Sequence, residues 1–164
     1  MTFVPINNDD YWKAIIKWKP PRKWYRDDEY EGVYLGNRDK NAYGIYRFER
    51  RQGNQKSGRE NLYIGIAFRQ VFDKRLHQGS HEWMLRNVKR GQIWVSVGII
   101  DLRDTKHTKQ RYEEIEAILI YFTKPTQNDR KKYWLPECYY EIKNIGYRGP
   151  LPEYIKYPLA EIVY

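Results

Sequence analysis

At 164 residues and 20.1 kDa the chain has the length of one domain, enough to bury a core and too short for a second independent one. Thirty Lys and Arg against 21 Asp and Glu leave a formal charge of +9, which suits a polyanionic partner, nucleic acid first and an anionic membrane surface second, unless the charge is only a solubilising coat. The single cysteine, Cys138, excludes an internal disulfide and a Cys-rich zinc site, and His77, His81 and His107 do not make up the deficit.

In chain order, residues 9–18 (DDYWKAIIKW) place Trp12, Ile15, Ile16 and Lys19 near one face of a helix, with Asn8, Asp9 or Asp10 as cap and Pro20-Pro21 as stop. Arg22 to Lys40 is charged and turn-rich. Tyr43 to Glu49 and Asn61 to Ala67 alternate as two strands joined by a basic loop, Arg50 to Glu60. Phe68 to Gln78 follows as a helix, with Phe68, Val71, Phe72 and Leu76 on one arc and Gly79 as its end. His81 to Arg90 fits another helix, and Gln92 to Asp101 alternates through Ile93, Val95, Val97 and Ile99 as a central strand should. Thr108 to Phe122 returns to helical spacing through Ile115, Ile118, Leu119 and Phe122. Thr123 to Lys132 is a basic loop, Glu137 to Ile145 a further strand, and Gly149 to Tyr154 an extended, Pro-punctuated tail.

This order predicts an α+β domain: two adjacent antiparallel strands and a later third, flanked by helices. No apolar run nears the roughly 18 residues of a membrane span, and Met1 to Asp10 lacks a basic-then-apolar leader, so an intracellular location, cytoplasmic or nucleoid-associated, is expected. Rings interleaved with cations at Lys17-Trp18-Lys19, Arg22-Lys23-Trp24-Tyr25-Arg26 and Lys131-Lys132-Tyr133-Trp134 suit a surface that neutralises phosphates and stacks on bases. They equally suit rings at the rim of a small core with charged stems lying over them.

Strand alternation puts Gly44, Tyr46 and Phe48 on one face of the first strand, and Tyr63 with Gly65 on one face of the second. Each tyrosine has a glycine two residues away on its own face, which predicts room for a phosphate beside the phenol. Sheet tyrosines with glycines at bulges are the plainer alternative. Arg75 falls inside the apolar arc of its helix, where a permanent cation requires a partner, either a buried carboxylate or a bound phosphate. On the next helix Glu114 and Glu116 lie at opposite edges of the apolar face while Glu113 faces water, so geometry leaves the first two tied.

The ordered set Gly44-Ile45-Tyr46, Tyr63-Ile64-Gly65, Arg75, Glu116 with Leu119-Ile120, Pro125 and Asn128 resembles the GIY-YIG nuclease family, across Gly44 to Asn128. Gly32-Val33-Tyr34, a near copy of the first tripeptide, lies too far upstream to fit that pattern. The resemblance implies a small three-stranded antiparallel core (44–128), with an N-terminal extension (1–43) and a C-terminal extension of the same domain (129–164). It implies an endonuclease that hydrolyses DNA, leaving 5′-phosphate and 3′-hydroxyl ends. One of Tyr46 and Tyr63 takes the proton of the attacking water, Tyr46 being preferred. Arg75 clamps the phosphate, Glu116 holds one Mg2+ or Mn2+, and Asn128, Gly44 and Gly65 support them. Relatives often carry His or Tyr four residues after the arginine; here that position is Gly79, and His81 is the substitute candidate. Arg50, Arg51, Lys56, Arg59, Arg69, Lys74, Arg130, Lys131 and Lys132 are the expected DNA contacts, and cutting both strands calls for a homodimer on the substrate or sequential nicking. Glu141-x-Lys143 with upstream Asp129 resembles the PD-(D/E)xK arrangement, without its Pro-Asp. From a different class, a nucleic-acid-binding module that does not cut would use the same basic and aromatic clusters but gain nothing from a carboxylate beside Arg75.

Overall fold

The computed structural model describes residues 11–52, 59–78, 81, 85–86, 88, 90–103, 106–129, 134–158 and 161–164. Within them run β1 (Trp12–Trp18), β2 (Arg22–Arg26), β3 (Glu31–Val33), α1 (Asn37–Lys40), β4 (Gly44–Arg51), β5 (Arg59–Ala67), α2 (Phe72–Leu76), β6 (Gln92–Asp101), α3 (Lys109–Thr123), β7 (Tyr140–Gly146), β8 (Tyr154–Tyr157) and β9 (Glu161–Val163). The α+β class holds, but the sheet is mixed and larger than three strands.

β6 is the organising strand. One edge pairs antiparallel with β4, Tyr46 opposite Val97, and β4 pairs in turn with β5, Tyr46 opposite Gly65. On its other edge β1 and β2 act as one broken strand interrupted by Pro20-Pro21, with Trp18 opposite Gly98 and Arg22 opposite Val95. Parallel pairing of β1 with β7, then antiparallel β7–β8 and β8–β9 pairing, extends the sheet further. The expected hairpin and third strand are therefore adjacent and antiparallel, but both flanking extensions add strands to the same sheet.

The helix expected over 9–18 is instead β1. Its apolar residues fit both periods; the strand period buries Ala14, Ile16 and Trp18 and leaves Lys13 and Lys17 outside. Pairing on both edges of β1 by distant strands decided between them. The expected helix 68–78 shortens to α2, because Arg69 turns the chain in the left-handed region at φ 54° before Phe72. Arg22 to Lys40, read as turns, contains the β2–β3 hairpin and α1. Half of the expected helix over 81–90 lies outside the described residues, as do Gly79 and the caps at Asn8 to Asp10. α3 matches its expected span, and the Thr108 hydroxyl accepts from the Arg111 N–H as its N-cap.

Two apolar clusters sandwich the sheet. α3 supplies Ile115, Ile118 and Leu119 against Ile16, Ile45, Ile64 and Ile142 on one face. On the other, α2 supplies Phe72 and Leu76 against Tyr46, Phe48, Val95 and Val97. Among the described residues no helix is long and apolar enough to cross a membrane.

Candidate active site

Tyr46 sits on β4 facing α2 and is fully buried. Its ring crosses to β5: a Cβ on Gly65 would come within 2.5 Å of the Tyr46 hydroxyl and 2.8 Å of the Tyr63 ring. The space left by that glycine is filled by the phenol itself, so the expectation of an open phosphate niche there is corrected. Gly44 opens no niche either, since a Cβ on it would run into the backbone carbonyl of Gly98, with Phe72 at 3.2 Å.

Tyr63, half-buried, stacks beside Tyr46 with ring centroids 6.2 Å apart. The Tyr46 hydroxyl meets His81 Nε2 at 2.9 Å. His81, just past the expected helix end, is thus the histidine brought to the tyrosine pair. His77 goes elsewhere: its Nε2 lies 3.2 Å from the Val33 N–H and its ring stacks on Trp24. That contact explains the near-copy tripeptide, because a side chain at Gly32 would collide with the His77 ring.

Arg75 is half-buried on α2. Its Nε donates to the Ile66 carbonyl at 3.1 Å and its Nη1 to Gln78 Oε1 at 2.8 Å. Among the described residues no carboxylate lies within ion-pair distance of it. The structural alternative of a buried carboxylate partner is therefore not what these residues supply, and the charge is left facing the phenols and His81.

The tie between the two glutamates on α3 is broken by tertiary contacts. Glu114 accepts from the Tyr140 hydroxyl and from Gln110 Nε2, facing away from the tyrosine pair. Glu116, 8% exposed, lies close enough to both Tyr46 and Tyr63 for its negative charge to disfavour phenolate. Glu113 is only half-buried and pairs with Lys109 at 3.6 Å.

These charges set the proton affinities. Burial pushes the Tyr46 phenol well above the ordinary tyrosine range, helped by Tyr63 and Glu116, while Arg75 pulls against them. The Tyr63 phenol is also raised, by burial and then Glu116, with Arg75 and Tyr46 opposing. His81 is held down at about 4 by burial and then by the Arg75 charge, so its ring is neutral at physiological pH. Because the fold disfavours the charged ring, the unfolded chain takes up a proton near pH 6.5 that the folded chain refuses until about pH 4. Stability therefore falls by about 3 kcal/mol as pH drops across that window. Urea unfolding of His81→Gln should lose this part of the slope, so that the variant gains on wild type between neutral and acid pH; parallel pH profiles would refute it.

Asn128 serves the site through the backbone. Its side-chain oxygen accepts from the Ile64 N–H and its amide donates to the Ile64 carbonyl, both at 2.9 Å. The Thr126 and Gln127 amides bond the Asn61 and Leu62 carbonyls, so this loop closes the outer edge of β5 beside Tyr63-Ile64-Gly65.

The cationic residues scatter. Arg50 pairs with Glu60, Arg51 is engaged with Glu49 and the Trp94 ring, and both belong to a strand rather than a loop. Arg59 opens β5 and is exposed, as are Arg69 and Lys74, whereas Lys56, Arg130, Lys131 and Lys132 lie outside the described residues. Trp18 and Trp24 are core residues, while Tyr25 and Trp134 are exposed. Glu141 bonds Lys156 at 3.7 Å, and among the described residues no three metal-ligating side chains gather around it or elsewhere.

Sequence reasoning missed the buried ion network behind the tyrosines. Arg47 and Glu49, each 1% exposed, pair at 2.8 Å on the β4 face opposite Tyr46, with Arg51 on the other Glu49 oxygen. Its signal was present: charges at 47, 49 and 51 share one face of a strand whose other face is aromatic.

Compared with protein-family models, curated proteins and solved structures, the chain matches none.

Proposed function

We propose that the chain is a metal-dependent DNA endonuclease of GIY-YIG type, hydrolysing phosphodiester bonds. The observation that supports this most is convergence: β4, β5, α2, α3 and the segment after α2 each send one polar group, Tyr46, Tyr63, Arg75, Glu116 and His81, to one place. A fold gains no stability from a half-buried arginine with neutral partners beside raised phenols. Such perturbed groups cluster where chemistry is done.

In this reading Arg75 meets the scissile phosphate and stabilises the charge that builds on it. The half-buried Tyr63 is better placed than the enclosed Tyr46 to meet the attacking water. As that water's proton reaches Tyr63, the phenolic proton passes to Tyr46 and the Tyr46 proton to His81 Nε2. A phosphate opposite Arg75 cancels part of the field that holds His81 down, making the ring a better acceptor when substrate is bound. The donor set fits a hard cation that takes one protein carboxylate and completes its shell with water and phosphate oxygens, so Glu116 would hold Mg2+ or Mn2+. Bound there, the ion supplies water activation and charge for the leaving 3′ oxygen.

Plasmid nicking with Mg2+ and with chelator tests this, comparing wild type with Arg75→Ala and Glu116→Ala. Metal-dependent cleavage by wild type, lost in both variants, is the expected result. Tight DNA binding by wild type without metal-dependent cleavage would leave the chain a non-cutting nucleic-acid-binding module.

A further inference from the structure

The sheet face that carries Tyr46 does not end at β6. Tyr46 is opposite Val97, and two residues on Ile99 packs against the same cluster. Ile99 is opposite Lys17 on β1, whose same-face neighbours Lys13 and Ile15 are opposite Glu141 and Lys143 on β7. Lys143 is in turn opposite Tyr154 on β8. The other face of these strands is the α3 core, but this one stays open: Lys13, Lys17 and Lys143 are exposed, and Ile15, Ile145 and Tyr154 are only half-buried. A continuous surface thus runs from the candidate site across the strands contributed by both extensions.

Its charge is one-sided. Glu141 is engaged by Lys156 at 3.7 Å and Asp101 lies 4.0 Å from Arg103. Among the described residues Lys13, Lys17 and Lys143 have no carboxylate within ion-pair distance. Lys13 and Lys17 are four residues apart on one strand, about 13 Å, and β1 lies two strands, about 10 Å, from β4. Along duplex DNA each strand places a phosphate every 3.4 Å or so of axis, so about four fall within that lysine spacing.

We propose that this open face of β1, β7 and β8 is the docking surface for duplex DNA, with Lys13, Lys17 and Lys143 neutralising phosphates flanking the bond at Arg75. The choice of DNA as occupant rests on the nuclease reading; the surface itself rests on its charge and its continuity with the tyrosine face. The half-buried Ile15 and Ile145 between the lysines give it a flat, weakly hydrated floor, suited to a backbone lying across the strands.

The test is fluorescence anisotropy of a labelled duplex in chelator, titrated over about 50 to 200 mM salt. The triple variant Lys13→Gln, Lys17→Gln, Lys143→Gln is compared with a control of equal charge change, Arg38→Gln, Lys106→Gln, Lys109→Gln. The open-face variant should bind about tenfold or more weaker and lower the log–log salt slope by about 2 to 3, while the control changes affinity about twofold or less. Equal losses in both variants, or an unchanged slope in the first, would overturn the proposal. Chelated binding is independent of cutting: wild-type nicking with an unchanged slope sinks the surface alone, and a lowered slope with no nicking by wild type sinks the nuclease reading alone.

Discussion

Replacing Arg75 with alanine is expected to lower Mg2+-dependent nicking by about 10²- to 10³-fold, comparable to removing one oxyanion donor at about 3 to 4 kcal/mol. The guanidinium is held by neutral groups, the Ile66 carbonyl and Gln78, which aim it without neutralising it. Its charge is therefore available to a phosphate, in a half-buried place where water screens it less than at the surface. Arg75→Lys separates charge from geometry. A lysine keeps the cation but not the planar fork, so DNA binding should recover more than cleavage does. Single-turnover cleavage and anisotropy binding, measured on the same variants, read the two apart. A rate for Arg75→Ala within about threefold of wild type would remove the arginine from the chemistry.

The largest effect on stability is expected at Glu49. Its carboxylate is pushed up by burial but held below the usual range overall by Arg47 and Arg51, and it is the counter-charge for an arginine only 1% exposed. Glu49→Gln leaves Arg47 charged and uncompensated, which costs about 3 to 5 kcal/mol. For a chain of this size that is a drop in Tm of about 10 °C. Glu60→Gln provides the contrast, because the Arg50–Glu60 pair is about 30% exposed at both ends and should be worth less than about 1 kcal/mol. Equal Tm shifts in the two variants would show that Arg47 finds another partner or water when Glu49 is gone.

Much of the core hairpin was legible because its information is local. β4, β5 and β6 alternate apolar residues with a period only strands satisfy, and α3 has a capping threonine one residue before a long amphipathic run. Arg75 could be named from its place on an apolar arc, whereas Glu116 shared its helix-edge position with Glu114 and was singled out only by the family resemblance. What they face could not, since that depends on α2 and α3 approaching opposite faces of a sheet whose strands come from across the chain. The Gly65 niche failed for the same reason. Strand spacing says a glycine leaves space on a face, but only the Tyr46–Gly65 register says that a phenol from the next strand fills it.

Taken alone, the amino-acid sequence determined the basic charge, the α+β class, the three antiparallel strands at the centre and the order of the residues that the proposed phosphodiester cleavage would use. These follow from periodicity and composition within short windows. The tertiary structure decided the rest: that DDYWKAIIKW contributes a strand, that His81 is hydrogen-bonded to Tyr46 while His77 meets Tyr30, that Asn128 closes the edge of β5, and that both extensions widen the sheet. The physical reason is common to all four. Ala14, Ile16 and Trp18 are buried, His81 is bonded and β5 is closed by partners 35 to 126 residues away, and no local preference encodes a contact whose other half is elsewhere in the chain.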